Sequence, residues 1–286
     1  MQLDPSAVDA QIGLIALGTI DSTNKEALGR AAAGEHGSFW VTAEAQTAGR
    51  GRLGRSWNSP PGNLYASLLL RDPSPFEHAP ELAFVAVLAL RDAIVAETPA
   101  LAAKLRFKWP NDLLLADAKC AGILIEGEVN SREIATVVIG IGVNCAHHPP
   151  IAAAADGASP AARSSPFGAN EVLFPATDLH AQGAEITPER LFARLSATMC
   201  ARVAQWDRGN GFTAILGDWL TGASGLGEAI HVRQGSEDKV GRFIGLDRAG
   251  RLVLELAGGS IEKIAAGDVF PLALRGRPKI PSRRGR

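Results

Sequence analysis

Cysteine is scarce in this 286-residue chain: Cys120, Cys145 and Cys200 are far apart and odd in number. That excludes a disulfide-built scaffold, offers no Cys pair for a zinc site, and fits a reducing compartment. Basic charge is missing from the start, since the first such residue is Lys25, so nothing resembles a secretory leader. Long apolar runs are missing too, and none approaches the ~18 residues that cross a bilayer. The expected location is cytoplasmic, without a membrane partner. The net charge is only −1, but residues 275–286 hold 6 basic and no acidic groups, leaving 23 basic against 30 acidic in the rest. An acidic body argues against nucleic acid as a general partner. With 46% hydrophobic and 21% charged residues, the chain can build a sizeable core, as one large domain or one plus a small second.

The pattern along the chain predicts a helix opening at Thr23-Asn24-Lys25-Glu26, which has capping-box spacing, and fading at Gly34. Strands are expected at Phe39–Thr42 and Asn63–Leu70, and a buried helix over Pro80–Ala96, which is apolar nearly all round. Leu105–Trp109, Ala121–Val129 and Ile134–Asn144 read as further strands. Pro149–Pro166 is an Ala, Ser, Gly and Pro segment without periodicity, read as a surface insertion. Helices follow at Pro188–Trp206 and Phe212–Leu220, then a Gly-rich linker, Thr221–Gly227. Five short strands (Ala229–Arg233, Val240–Leu246, Leu252–Leu256, Ile261–Ile264, Val269–Ala273) suggest a small barrel. The expected division is an α+β domain over residues 1–222, a small all-β domain over 223–275 and a basic tail over 276–286.

Four segments carry chemistry. Gly49-Arg50-Gly51-Arg52-Leu53-Gly54-Arg55 matches G-x-G-x-x-G, but the Ser56-Trp57-Asn58-Ser59-Pro60-Pro61 that follows cannot open the helix a dinucleotide site needs. Three arginines among three glycines instead suit an anion: glycine permits close backbone approach and Arg offers bidentate donors. Left alone, the charges repel and the loop should be mobile, closing when an anion arrives; a solvated turn is the plainer reading. Lys108-Trp109-Pro110-Asn111-Asp112 ends a strand, and a structural turn explains Pro-Asn-Asp better than the Lys-Trp before it. Lys119 leads into the apolar Cys120–Glu126, either as a functional cation or as a solvated gatekeeper. Gly140 and Gly142 interrupt a buried strand, so a ligand or a packed neighbour approaches its backbone.

Taken together, these segments resemble one family, the biotin–protein ligases. The resemblance rests on Asp21-Ser22-Thr23-Asn24, on Thr42 through Arg52, on Lys108 through Asp112, on Lys119 with Ala121-Gly122-Ile123-Leu124, and on Gly140 through Asn144, in that order. It implies a class II synthetase-like mixed sheet with helices, followed by an SH3-like barrel. It implies that biotin's carboxylate attacks the α-phosphate of ATP, and that a lysine of a biotin carboxyl carrier domain, such as that of acetyl-CoA carboxylase, takes the biotinyl group from biotinyl-5′-AMP. Cofactors implied are ATP with Mg²⁺, and biotin as substrate.

By position, Ser22, Thr23, Asn24 and Gln46 resemble the polar group around the biotin ureido ring. Gly49, Arg50, Gly51 and Arg52 resemble the loop that closes on biotin, and Gly122, Gly140 and Gly142 border it. Lys119 and Arg52 resemble the catalytic cations, and Arg52, Arg55, Trp57, Asn111, Lys119 and Asn144 the adenylate contacts, with Asp112 as metal candidate. Some members of the family carry an N-terminal DNA-binding domain; the 21 residues before Ser22 are too few for one, so the form without it is expected. Lipoate ligase is the alternative within this chemistry, and an AT-hook-like use of Arg275-Gly276-Arg277-Pro278-Lys279 on DNA is the alternative outside it. Monomer and homodimer are both compatible with the sequence. His147-His148 reads as loop surface.

Overall fold

The computed structural model describes residues 1–129, 135–150, 175–235 and 237–271. Most of the expected insertion Pro149–Pro166, the end of the last expected strand and the basic tail fall outside them. The first sheet has seven strands: β1 (Gly13–Ile20), β2 (Phe39–Gln46), β3 (Leu64–Arg71), β4 (Leu105–Lys108), β5 (Asp112–Leu115), β6 (Ala118–Val129) and β7 (Ala135–Val143), in the order β1-β2-β3-β7-β6-β5-β4. The β1–β2 pair is parallel and every other neighbour antiparallel, which makes the sheet mixed, as expected.

Side chains alternate between the faces of a strand, and that alternation assigns the helices. Trp40, Leu68, Leu70, Val137 and Ile139 face the large core, covered by α3 (Leu82–Glu97), α4 (Pro188–Trp206) and α5 (Phe212–Thr221). Phe39, Val41, Leu69 and Val138 face the other way, onto Ala27 and Ala31 of α2 (Thr23–Ala32). Beyond α2, that second face changes character: Leu69 gives way to Ser67, and Val138 to Gly140 and Gly142. An apolar face thus becomes a hollow floor where the helix begins.

The second sheet is fully antiparallel, in the order β11-β10-β9-β8-β12, from β8 (Ala229–Gln234), β9 (Glu237–Leu246), β10 (Leu252–Leu256), β11 (Ile261–Ile264) and β12 (Asp268–Pro271). Its Ile230, Val232, Phe243, Leu254 and Val269 belong to the same continuous core as α3 and α5. On the side of the first sheet Phe84 meets Trp219 edge-on at 5.6 Å and Phe107 stacks on Trp219 at 5.9 Å, and Phe84 and Phe212 close on Gly250 between β9 and β10, 2.9 and 3.3 Å from a would-be Cβ. Trp109 Nε1 donates to Gly250 O at 3.0 Å.

Two elements were not anticipated and two expectations need correction. Strand β1 and the short helix α1 (Pro5–Asp9) carry little signal, β1 because it is a half-buried edge interrupted by Gly18. Asp112 opens β5 rather than a turn, pairing with Lys108 across a hairpin whose tip is Trp109-Pro110-Asn111. The Thr221–Gly227 stretch is stitched to β4, with Phe107 N donating to Gly222 O and Ser224 N to Phe107 O, both at 2.8 Å. No described helix is long and apolar enough to cross a membrane.

Candidate active site

A cavity of about 380 Å³ opens over the hollow floor. Its first wall is the N-terminus of α2. Ser22 is the N-cap, its hydroxyl accepting from Lys25 N, which leaves the side chains of Thr23 and Asn24 on the first turn facing the sheet. Thr23 N donates to Gln46 Oε1 at 2.9 Å, and Ser67 Oγ lies 2.7 Å from Thr23 Oγ1 and 2.6 Å from Asn24 Oδ1. All these groups except half-exposed Gln46 are buried, and together they form a neutral, densely hydrogen-bonded corner.

The floor explains the glycines. A Cβ on Gly140 would stand 2.3 Å from Asn24 Oδ1, and one on Gly142 would stand 2.7 Å from the Trp57 indole. Gly122, paired with Gly142 across β6 and β7, has both Trp57 and the Lys119 ammonium 3.3 Å from its would-be Cβ. Asn24, Trp57 and Lys119 therefore follow one another along the floor, spaced by roughly two strand residues, ~7 Å, between the first two. Gly140 and Gly142 were expected to border a ligand; they line the cavity, but the closest groups above them are protein side chains.

The glycine–arginine loop forms the second wall, and its charges are not left to repel. Arg50 Nη2 lies 3.1 Å from Glu126 Oε2, Arg55 grips Asp268 with both Nη atoms, and Arg52 Nη1 donates to Asn111 Oδ1 (3.2 Å) and Gly267 O (3.5 Å). The expectation of a loop with nothing to offset its charge is thus corrected by two acids, one on β6 and one on β12. Burial pulls the Arg52 guanidinium below its ordinary value, against Asp268 and Asp112, which hold it up. Gly49 alone of the expected residues is off the cavity wall; its missing side chain makes room for Ser59 Oγ and Trp57 O, each 2.6 Å from a would-be Cβ.

The third wall is ionic. Lys119 Nζ is 2.6 Å from Asp112 Oδ1, and Lys108 Nζ is 3.2 Å from Asp112 Oδ2. Burial pushes the Asp112 carboxyl up, but the two ammonium groups outweigh it and bring it down to about 2. The Lys108 ammonium is pulled down by burial and by Lys119, against Asp112. Lys119 Nζ also sits 5.3 Å from the Trp57 ring centre, a cation–π contact. Asp112 as a metal ligand does not fit this arrangement, because each oxygen already faces a cation and no three His, Cys, Asp or Glu groups converge among the described residues. Asn111 Nδ2 donates to Ile123 O, and Asn144 Nδ2 to Thr177 O at 3.0 Å, so both amides brace the wall.

The structure thus gathers Ser22, Thr23, Asn24, Gln46, Arg50, Gly51, Arg52, Arg55, Trp57, Asn111, Asp112, Lys119, Gly122, Gly140, Gly142 and Asn144 around one cavity. Sequence reasoning missed Ser67, Glu126 and the barrel's Arg233, Asp268 and Phe270, the last three on the cavity wall itself, and singled out Lys108, also on the wall, without giving it a role. A lone serine within Leu64–Leu70 was the only available signal for Ser67. The barrel residues lie more than 170 positions from the loop they meet, and no local pattern marks them. His148 was read as loop surface; its Nδ1 is 2.6 Å from Asp178 Oδ2.

Comparison with known proteins agrees with this architecture. Residues 18–144 match the Biotin/lipoate A/B protein ligase family and residues 225–270 the Biotin protein ligase C terminal domain. The chain is 40% identical to a biotin–[acetyl-CoA-carboxylase] ligase of Paracoccus denitrificans, over 89% of this chain and 98% of that protein. Its fold is similar to biotin protein ligase from Aquifex aeolicus in complex with biotin and ATP (TM-score 0.69, 24% identity, 90% and 97% of the two chains). It is also similar to biotin protein ligase from Leishmania major in complex with biotinyl-5-AMP (TM-score 0.57, 26% identity, 89% and 99%). With this fold, this cavity and these relatives, the chain belongs to the biotin protein ligase family.

Proposed function

We propose that this protein activates biotin with ATP as biotinyl-5′-AMP and transfers the biotinyl group to a lysine of a biotin carboxyl carrier domain, that of acetyl-CoA carboxylase. One observation carries the reading: a neutral hydrogen-bonding corner and a strongly cationic corner share one cavity, with Lys119 between them. A urea-like ring with an apolar body suits the first; a carboxylate meeting a triphosphate needs the second.

In the first half-reaction a carboxylate oxygen of biotin forms a bond to the α-phosphorus, and the bond to the β-phosphate oxygen breaks, expelling pyrophosphate. Two like charges about 4 Å apart repel by ~4 kcal/mol at an effective dielectric of 20. Lys119 and Arg52 offset that repulsion from fixed positions, and Lys108 keeps Asp112 from cancelling Lys119 entirely. No side-chain nucleophile is needed, because the substrates attack each other; this chain aligns them and excludes water. Trp57 and Arg55 are assigned to the adenylate, and Ser22, Thr23, Asn24 and Gln46 to the ureido ring. In the second half-reaction the acceptor lysine's neutral amine attacks the acyl carbon, AMP leaves with the bonding pair, and the amide loses a proton to solvent. Mg²⁺ is assigned to the substrate, where it would screen the triphosphate charge.

The division at residues 222 and 223, and a cytoplasmic location where the carrier domain is made, belong to the same proposal. The test is exchange of labelled pyrophosphate into ATP by the purified protein with biotin, with lipoate and with neither. Exchange that depends on biotin alone is expected; exchange with lipoate alone, or with neither, overturns the reading.

A further inference from the structure

The chain's own hydrogen bonds single out a residue that no motif drew attention to, Glu126 on β6. One carboxylate oxygen, Oε2, accepts from two groups at once: Asn24 Nδ2 at 2.8 Å and Arg50 Nη2 at 3.1 Å. A carboxylate can only accept, so it compels the Asn24 amide to present its NH₂ on that side. Asn24 Oδ1 must then point to Ser67 Oγ, 2.6 Å away, in the space left by the missing side chain of Gly140.

The consequence runs on. Ser67 is fully buried and has one proton, which goes to Asn24 Oδ1, so toward Thr23 Oγ1 at 2.7 Å it accepts. Gln46 Oε1 already accepts from Thr23 N at 2.9 Å, which turns Gln46 Nε2 toward Ser59 Oγ at 3.0 Å, and Ser59 in turn donates to Trp57 O. The charged acceptor therefore orders the Asn24–Ser67–Thr23 branch of the corner, and the Thr23 backbone N–H independently orders the Gln46–Ser59 branch. The same oxygen holds Arg50 of the glycine–arginine loop against the sheet.

We propose that Glu126 is a positioning residue: through Asn24 it sets the hydrogen-bond polarity of the ring-binding corner, and through Arg50 it ties that corner to the loop. The proposal rests on the biotin reading above. A urea presents one carbonyl acceptor and two N–H donors, so a corner with fixed polarity recognises it and rejects an isostere in which a donor replaces the carbonyl. With glutamine at position 126 the partner amide both donates and accepts, and only the long 3.5 Å contact of Asn24 Nδ2 with Leu124 O still favours the original orientation.

The test compares wild type, Glu126→Gln, Arg50→Met and Ser67→Ala in pyrophosphate exchange with biotin and with 2-iminobiotin, whose carbonyl is replaced by a C=NH group. For Glu126→Gln the expected result is a KM for biotin raised about tenfold with kcat little changed, and a narrowed preference for biotin over 2-iminobiotin. Arg50→Met is expected to raise KM by a smaller factor and leave the preference as it was. Ser67→Ala, which breaks the chain at its buried end, is expected to narrow the preference too, and it keeps the test decisive should Glu126→Gln fold poorly. Wild-type exchange with biotin, together with an unchanged preference in both Glu126→Gln and Ser67→Ala, overturns the proposal alone. A preference narrowed equally by Arg50→Met also overturns it, since the loop and not Asn24 would then set selectivity. Absence of biotin-dependent exchange in the wild type overturns the biotin reading itself and the proposal with it.

Discussion

Replacing Lys119 by alanine has two consequences that the structure makes separable. The first is on stability, and it corrects the view of a strand-edge lysine as dispensable to folding. Asp112 is buried and titrates at about 2 instead of 3.8, its two ammonium neighbours outweighing the cost of burial. That difference corresponds to ~2 kcal/mol, at about 1.4 kcal/mol per tenfold. Lys119, at 2.6 Å, is the nearer partner, so its loss should cost about 1–2 kcal/mol, or roughly 2–8 °C in Tm for a chain of this size. The second consequence is on chemistry. Withdrawing the cation from between two anions returns up to ~4 kcal/mol of repulsion to the transition state, on the order of a thousandfold in rate. The assay pairs thermal melting with biotin-dependent pyrophosphate exchange, for Lys119→Ala and for Lys119→Ala combined with Asp112→Asn. The double variant should melt no higher than Lys119→Ala, since it takes the carboxylate from buried Lys108 as well, and it should recover none of the exchange. If exchange returns with the second substitution, Lys119 serves only to neutralise Asp112, and the reasoning fails.

Three further outcomes follow from the same geometry. Gly142→Ala places a Cβ 2.7 Å from the Trp57 ring, so Trp57 must shift; the expected result is an apparent KM for ATP raised about tenfold with melting changed by only a few degrees, and an unaltered KM would show that Trp57 does not serve the nucleotide. Asp268→Ala frees Arg55, whose pair is part-exposed and worth ~1 kcal/mol, so release of the adenylate should rise several-fold, seen as biotinylation of a bystander protein. Because the Asp112 pKa is depressed on folding, its stabilisation is present above about pH 3.8 and lost as pH falls through about 2; between pH 4 and pH 2 the wild type should lose ~2 kcal/mol more than Asp112→Asn, the other depressed carboxylates contributing equally to both.

Much of the fold was legible because its signals are local. Pro188–Trp206 begins with a Thr cap and a Pro and ends where the sequence says it should. The continuous apolar runs of β3, β7 and α3 marked them as buried elements, told apart by length. Strand β1 was illegible because a half-exposed parallel edge has neither alternation nor β-branched density. In the site, motif residues were found because their types are unusual in their setting: glycines in a buried strand, arginines among glycines. What stayed hidden was the partner side of each contact. Glu126 looks like a polar residue late in a strand, and Asp268 like a turn residue. Only the tertiary fold brings the first to Asn24 and Arg50 and the second to Arg55.

The aromatic join between the two sheets bears on how this molecule comes apart. Phe84 and Phe212 meet Gly250 across it, Trp109 Nε1 donates to Gly250 O, and the buried core on either side is one cluster. Subunits of structure that share a core do not melt independently. Calorimetry should therefore record one cooperative transition, with calorimetric and van't Hoff enthalpies equal, and no surviving half. A chain cut at residue 222 would bare Phe84, Phe212 and the Trp109 indole and aggregate rather than persist as a small ligase.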